Sequence, residues 1–433
     1  MMKKIFSFTL SLFCFISSAF AQDLHSEIDK KAKEVLPKVI EWRRYIHQHP
    51  ELSNREYNTS KYVTDYLKTL GLDVQTGVAH TGVVAILHGG KPGPCIALRE
   101  DMDALPIHEV TDVPFASTAR SVLAGDSVWV MHACGHDAHT AMLLGVATVL
   151  TSMKKEISGT VKFIFQPAEE GPPAGEEGGA SMMVKEGVLE NPHVDVIFGM
   201  HMNPKLEIGN IDYKPDAFHA SSDWFTVTVK GKGSHGATPW SGVDPIVISA
   251  QIIEALQTVT SRQENISKAP LVVTIGKISG GNRNNIIPDQ CVMLGSVRAL
   301  DDSMRMDAQR RINKMCSDIA VASGATAEVT WRELAPLQTN DPALVQQMLP
   351  SLQAAAGADH VHLTDWTTTS EDFSYYETNT PAFYFFLGGL PKGKDPDSAS
   401  TWHTPDFYID DSMLDVGVKA FCYLVVDYGG KKK

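Results

Sequence analysis

The sequence predicts an α/β protein in which a domain with a mainly parallel sheet is interrupted by a smaller inserted domain. Three observations predict it. Strands and helices alternate through the first half of the chain. The middle changes to the order β-α-β-β-α-β. Helix, strand and helix then return at the end. At 433 residues the chain also exceeds one ordinary domain.

The N-terminus opens with Lys3 and Lys4, an apolar run over 5–16, and Ala19-Phe20-Ala21. A positive start, a short apolar core and small residues before the cut define a secretory signal peptide over 1–21, so an exported, periplasmic or secreted protein is expected. The run is shorter than the ~20 residues of a membrane span. The first part of the main domain, 22–216, reads as a helix over 23–48, strands over 82–88 and 95–99, and a helix over 136–150. A strand over 160–165, a helix over 181–189 and a strand over 195–200 follow. In the middle, strand 224–229, helix 244–262, strands 271–278 and 290–300, helix 303–323 and strand 327–332 form the split-βαβ pattern of a ferredoxin-like domain, expected over 217–332. Helix 343–356, strand 382–387 and helix 412–428 rejoin the main domain over 333–433.

Removing the signal peptide with its two lysines takes the formal net charge from −13 to −15. That acidity argues against nucleic acid and anionic membranes as partners. The closing Lys431-Lys432-Lys433 is too short to change this. Five cysteines remain: Cys95, Cys134, Cys291, Cys316 and Cys422. Their wide spacing and odd number exclude a disulfide scaffold and leave at least one free thiol.

The densest chemical cluster is His132-Ala133-Cys134-Gly135-His136-Asp137-Ala138-His139. Cys134 and His136 are of the types that bind zinc-like metals. Gly135 lets the backbone bend so that both face one point. Alone, this segment reads equally well as a buried cysteine beside helix-capping residues. Two carboxylates, Glu169 and Glu170, follow the strand over 160–165. Strand ends of open α/β sheets are where ligands bind. One carboxylate there can hold a metal while the other moves a proton. His201 stands just past the strand over 195–200, and His403 lies in a loop beside Ser398 and Ser400. Asp101 and Asp103, after the strand over 95–99, can orient a ligand histidine.

The stretches RRYIHQHPELSNREY, ALREDMDALPI, MHACGHDAHTAMLLG, QPAEEGPPAGEEGGASMMVKEGVLE, FGMHMNP, KGKGSHGATP, NNIIPD, SEDFSYY, FFLGG and TWHTPDF run from Arg43 to Phe407. Together they closely resemble the metallopeptidase family of aminoacylases, hippurate hydrolases and plant auxin-conjugate amidohydrolases. The resemblance implies a dinuclear metal amidohydrolase acting on N-acyl amino acids or short peptides. It implies Cys134 as a ligand bridging two divalent metal ions, with His136, Glu170, His201 and His403 as the other ligands. Glu169 matches the general base that serves a metal-activated water, and Asp103 the carboxylate behind the ligands. His235 matches a histidine that contacts the substrate carbonyl, in related enzymes from the neighbouring subunit. Asn285 matches a residue near the substrate carboxylate. The inserted domain matches a lid that forms the contact of a homodimer. Mixed cysteine, histidine and carboxylate ligands suit zinc, and manganese, cobalt or nickel can occupy the same set.

Two positions depart from the family pattern. Glu100 stands where relatives carry a small residue and is expected to face solvent. Trp240 follows SHGATP and bears on substrate preference. A cysteine hydrolase built on Cys134 and His136 fails on geometry, because residues so close on one tight turn are poorly placed as nucleophile and base. A non-catalytic exported binding protein on the same fold is the alternative from another class. Glu169 argues against it, since a pure binder has no need of a base.

Overall fold

A computed structural model describes residues 5–430, with side chains from Leu24 onward. The expected signal peptide, 1–21, lies outside the residues whose side chains are described. The chain forms two units: one comprises the chain up to Pro215, Asn340–Thr364 and the chain from Tyr376, and the other comprises Asp216–Thr339 and Asp365–Tyr375.

The first unit is built on an eight-stranded sheet. In spatial order its strands are Asp73–Val78, Gly82–His88, Ser158–Gln166, Lys91–Asp101, Val196–Glu207, Ala382–Leu390, Ile211–Tyr213 and Val361–Leu363. The four central strands, from Ser158–Gln166 to Ala382–Leu390, are mutually parallel. The strand Ala382–Leu390 is buried along its whole length, as a parallel strand covered on both faces must be. The helix His136–Ser152 is buried on every face from His136 to Ala147, polar in its first turns and apolar from Ala141 to Ala147. It packs between the helices Ile5–Gln48 and Asp415–Gly429, where Gly145 allows close approach to Val39 and Val418.

Several expected boundaries move. The strand expected over 195–200 runs on to Glu207, so His201 lies inside it and not past its end. The helix expected over 181–189 stops at Lys185, where Gly187 turns the chain at φ 83°. The last helix starts at Asp415 and not at 412. A helix, Tyr57–Thr69, and an edge strand, Asp73–Val78, were not expected. The helix buries Thr59, Ser60 and Thr64 beside only Val63 and Leu67, which blurs its apolar periodicity.

The second unit has a four-stranded antiparallel sheet in the order Leu271–Gly280, Gln290–Ala299, Ser221–Lys230, Thr326–Ala335. The helices Pro245–Thr258 and Asp302–Ala322 bury Ile248, Ile252, Met304, Ile312 and Cys316 with one sheet face. Both helices have an aspartate cap: Asp244 accepts from Ile246 N–H, and Asp301 from Met304 N–H. Trp224, Val272 and Leu294 on the sheet remain exposed. The segment Asp365–Tyr375, expected in the main domain, joins this unit because Ala220 N–H donates to the carbonyls of Thr367 and Thr369, and Arg298 donates to Ser370 Oγ.

Candidate metal centre

The adjacent parallel strands Ser158–Gln166, Lys91–Asp101 and Val196–Glu207 deliver chemistry-bearing residues at one end of the sheet. The first runs into Glu169 and Glu170, the second into Asp103, and the third carries His201. The helix His136–Ser152 starts at the same place. Gly135, just before it, has φ 106°, and a Cβ there would lie 2.9 Å from the Cβ of Met202. Glycine is therefore required between Cys134 and His136.

Each histidine of the centre has one ring nitrogen committed. His201 Nδ1–H donates to its own neighbour's carbonyl, Met202 O, at 2.8 Å, which leaves the Nε2 lone pair facing Cys134 Sγ at 3.4 Å. His136 Nδ1–H donates to Asp103 O at 2.9 Å, with Asp103 Oδ1 at 3.2 Å. His136 Nε2 is buried and has no hydrogen-bond partner. A buried imidazole lone pair without a partner is costly unless a cation takes it. His403 Nε2 lies 3.0 Å from Glu170 Oε1, and the His403 N–H donates to Ala133 O. Glu169 Oε2 stands 3.9 Å from His136 Nε2.

These atoms form three trios, each with its ligand atoms within 4.8 Å of one another: His136, Glu169 and Glu170; Cys134, His136 and His201; and Cys134, Glu170 and His403. Cys134 belongs to the last two. The five residues thus fit two cations sharing one sulfur, and their thiol, imidazole and carboxylate chemistry suits divalent transition metals. Burial, aided by Glu170, pushes the Cys134 thiol well above its ordinary range. A bound cation would reverse that preference and leave Cys134 as the thiolate. Burial and the neighbouring His139 push His201 well below the usual histidine value, so it is the neutral imidazole that ligation needs.

Behind the ligands lies a layer of buried carboxylates. Asp103 accepts from Glu169 N–H and Glu170 N–H, both at 3.1 Å, and from Ser53 Oγ at 2.6 Å. Burial alone would raise its pKa, but the hydrogen bond and charge of His136 bring it below the usual carboxylate value. Asp101 accepts from His139 Nδ1–H at 2.6 Å and pairs with Arg99 at 2.9 Å. It therefore orients His139, whose Nε2 accepts from Met202 N–H. Glu100 does not face solvent as expected: it is fully buried, with Oε2 3.5 Å from His139 Nδ1. Its strand is covered on both faces, so no position near this end reaches water.

His235 and Asn285 belong to the second unit. The short strand Ser234–His235 pairs with Ile286–Ile287, and Gly236 N–H donates to Asn285 O at 2.8 Å. The fold therefore brings these two residues together, both exposed, with His235 Nδ1 accepting from Ala237 N–H. Trp240 is 81% exposed nearby in sequence. The sequence assigned no role to Arg43, His47 or Glu56. Arg43 Nε and His47 Nδ1 both bond Asp137 Oδ2, at 2.8 and 2.9 Å, and so tie the start of the ligand-bearing helix to the N-terminal helix. The only signal was their presence in RRYIHQHPELSNREY, Arg43 and His47 as polar residues on a helix that packs into the core and Glu56 just before the next helix.

The profile of peptidase family M20/M25/M40 matches residues 97–427. Thermostable carboxypeptidase 2 of Saccharolobus solfataricus is 38% identical over 411 residues, covering 94% of this chain and 100% of that protein. N-acetyl-L-cysteine deacetylase of Bacillus subtilis is 36% identical over 384 residues, covering 88% of this chain and 85% of that protein. The crystal structure of a dinuclear metal-binding peptidase of family M20 from Bacillus subtilis superposes with a TM-score of 0.75 at 35% identity, covering 91% of this chain and 98% of that one. Fold and site together define a metal-dependent amidohydrolase. The chain belongs to peptidase family M20/M25/M40.

Proposed function

We propose that this chain hydrolyses the amide bond of N-acyl amino acids or short peptides, using Glu169 as general base beside two divalent cations held by Cys134, His136, Glu170, His201 and His403. The observation that carries this reading is the pair of ligand trios sharing Cys134 Sγ, with the Glu169 carboxylate 3.9 Å from His136 Nε2. The deacetylase named above supports the N-acyl class, and the carboxypeptidase supports the peptide class.

When bound, the cations supply Lewis acidity that lowers the pKa of a water and polarises the scissile carbonyl. Glu169 accepts the proton of the attacking water and passes it to the departing amine. Asp103 holds His136 in the tautomer whose Nε2 points into the site, and holds the backbone of Glu169 and Glu170. The family resemblance supports His235, supplied in related enzymes by the neighbouring subunit, as donor to the developing oxyanion, and Asn285 near the substrate carboxylate; the bond from Gly236 N–H to Asn285 O keeps the two side by side. Zinc is the favoured cation, with manganese, cobalt or nickel accepted by the same donors. The signal sequence supports export to the periplasm or beyond. Among the described residues no helix is long and apolar enough to cross a membrane. The exposed Trp224, Val272 and Leu294 support a homodimer formed through the second unit.

The test is a panel of N-acyl amino acids and dipeptides offered to the metal-reconstituted protein, with Glu169→Ala beside it. Wild type should turn over at least one substrate class and lose that activity to a strong chelator. Glu169→Ala should keep its metal and lose roughly 100–10,000-fold in kcat. Unchanged kcat in the variant would remove Glu169 as base. A fully metallated wild type that cleaves nothing in the panel would overturn the substrate class.

A further inference from the structure

The turn that presents Glu169 and Glu170 is held from two sides. Ala168, the residue before the pair, is 1% exposed and sits at φ 54°, in the left-handed region that non-glycine residues rarely adopt. A backbone held there persists only where its surroundings over-determine it. Asp103 binds the two following amides, those of Glu169 and Glu170. The amide of Ala168 itself donates to Glu56 Oε1 at 2.9 Å. Three successive N–H groups of a left-handed turn form a concave anion-binding nest. Here two buried carboxylates of the protein fill it.

We propose that Glu56 is a positioning residue for the reaction: its hydrogen bond to Ala168 fixes the turn that aims Glu169 and Glu170. Glu56 has no exposed surface, and its second oxygen, Oε2, accepts from Thr81 Oγ1 at 2.5 Å. Thr81 lies between the strands Asp73–Val78 and Gly82–His88, and Gly82–His88 pairs with Ser158–Gln166, the strand that leads into the turn. Glu56 thus links the start of the helix Tyr57–Thr69, the Thr81 turn and the catalytic turn. Asp103 alone leaves the Ala168 amide unanswered in a dry site. Without Glu56 the backbone can leave the left-handed conformation, and the carboxylates of residues 169 and 170 then move together. The inference rests on the proposed roles of Glu169 and Glu170.

The test compares Glu56→Ala, Glu56→Gln and Thr81→Val by steady-state kinetics and zinc titration. Glutamine keeps an oxygen for the Ala168 amide, and its amide group can meet the Thr81 hydroxyl. Glu56→Gln should stay close to wild type. Glu56→Ala should lose about 10–100-fold in kcat with KM little changed, and should weaken zinc binding by a similar factor at one of two sites, the one containing Glu170. Thr81→Val should shift both in the same direction by less. Zinc affinity is read without substrate, so the proposal is tested even if the substrate class is wrong. Wild-type kcat and zinc affinity in Glu56→Ala would overturn it, as would a Glu56→Gln variant as impaired as Glu56→Ala. If Glu56→Ala fails to fold, Thr81→Val decides: wild-type values for both measurements overturn the proposal.

Discussion

The two halves of the metal centre are built differently. Cys134, His136 and His201 are buried, and the two histidines lie within regular elements, a helix and a sheet strand. Each of those histidines has its far nitrogen tied to a carbonyl. Glu169, Glu170 and His403 lie on loops, and the His403 side chain is 51% exposed. Two left-handed non-glycine residues, Ala168 and His403, mark this half, at φ 54° and 62°. The two halves divide the labour. Regular elements fix a ligand at low conformational cost, whereas a loop keeps its geometry only through specific hydrogen bonds. The first half is suited to retaining metal, and the second, on the proposed function, to meeting substrate and moving a proton.

The largest expected effect comes from removing one ligand from each half. His136→Ala should bind metal far more weakly than the roughly 10–100-fold loss typical when a supporting partner is removed, and it should lose turnover with it. His403→Ala should retain one tightly bound ion, because the trio of Cys134, His136 and His201 is intact. Elemental analysis after dialysis separates them, and equal retention of metal in both variants would break the division.

A smaller effect is expected at the hinge of the buried half. Gly135→Ala puts a Cβ 2.9 Å from Met202 Cβ on a backbone at φ 106°. It should cost about 1–3 kcal/mol of stability. In a unit of this size each kcal/mol lowers Tm by about 1.5–2 °C. An unchanged melting curve would show that the glycine is not needed there.

The smallest effect is expected at the loop half. Ala168→Gly removes the strain but also loosens the unfolded chain, so stability should change by no more than about 1 kcal/mol in either direction. A larger loss in thermal unfolding would mean that packing of the Ala168 methyl group, and not its backbone, sets the turn.

Much of this was legible before the fold was known. The candidate ligands 134, 136, 170, 201 and 403 stood in motifs that the family resemblance picked out, and cysteine, histidine and paired carboxylates near strand ends are rare enough to stand out. Glu100 was misjudged because one strand's sequence does not tell which neighbours cover it. Its position between Ser158–Gln166 and Val196–Glu207 is a matter of sheet order. Glu56 was passed over for a related reason: nothing local marks a glutamate whose partner is the amide of Ala168, 112 residues away.

Local chemistry, then, was written in the sequence by itself: the alternation of elements, the residue types able to bind metal, the acidic surface, and the glycine that lets Cys134 and His136 face one point. Those properties depend on a few neighbouring residues and their side-chain chemistry. The family motifs already pointed to Cys134 as a bridge and to Asp103 behind the ligands; tertiary structure alone decided that Asp103 bonds both His136 and the amides of Glu169 and Glu170, and that Glu56 closes the same turn. These contacts join distant segments, and they exist only because the parallel sheet brings the ends of three strands together, where most buried polar groups find a partner and His136 Nε2 is left facing the site.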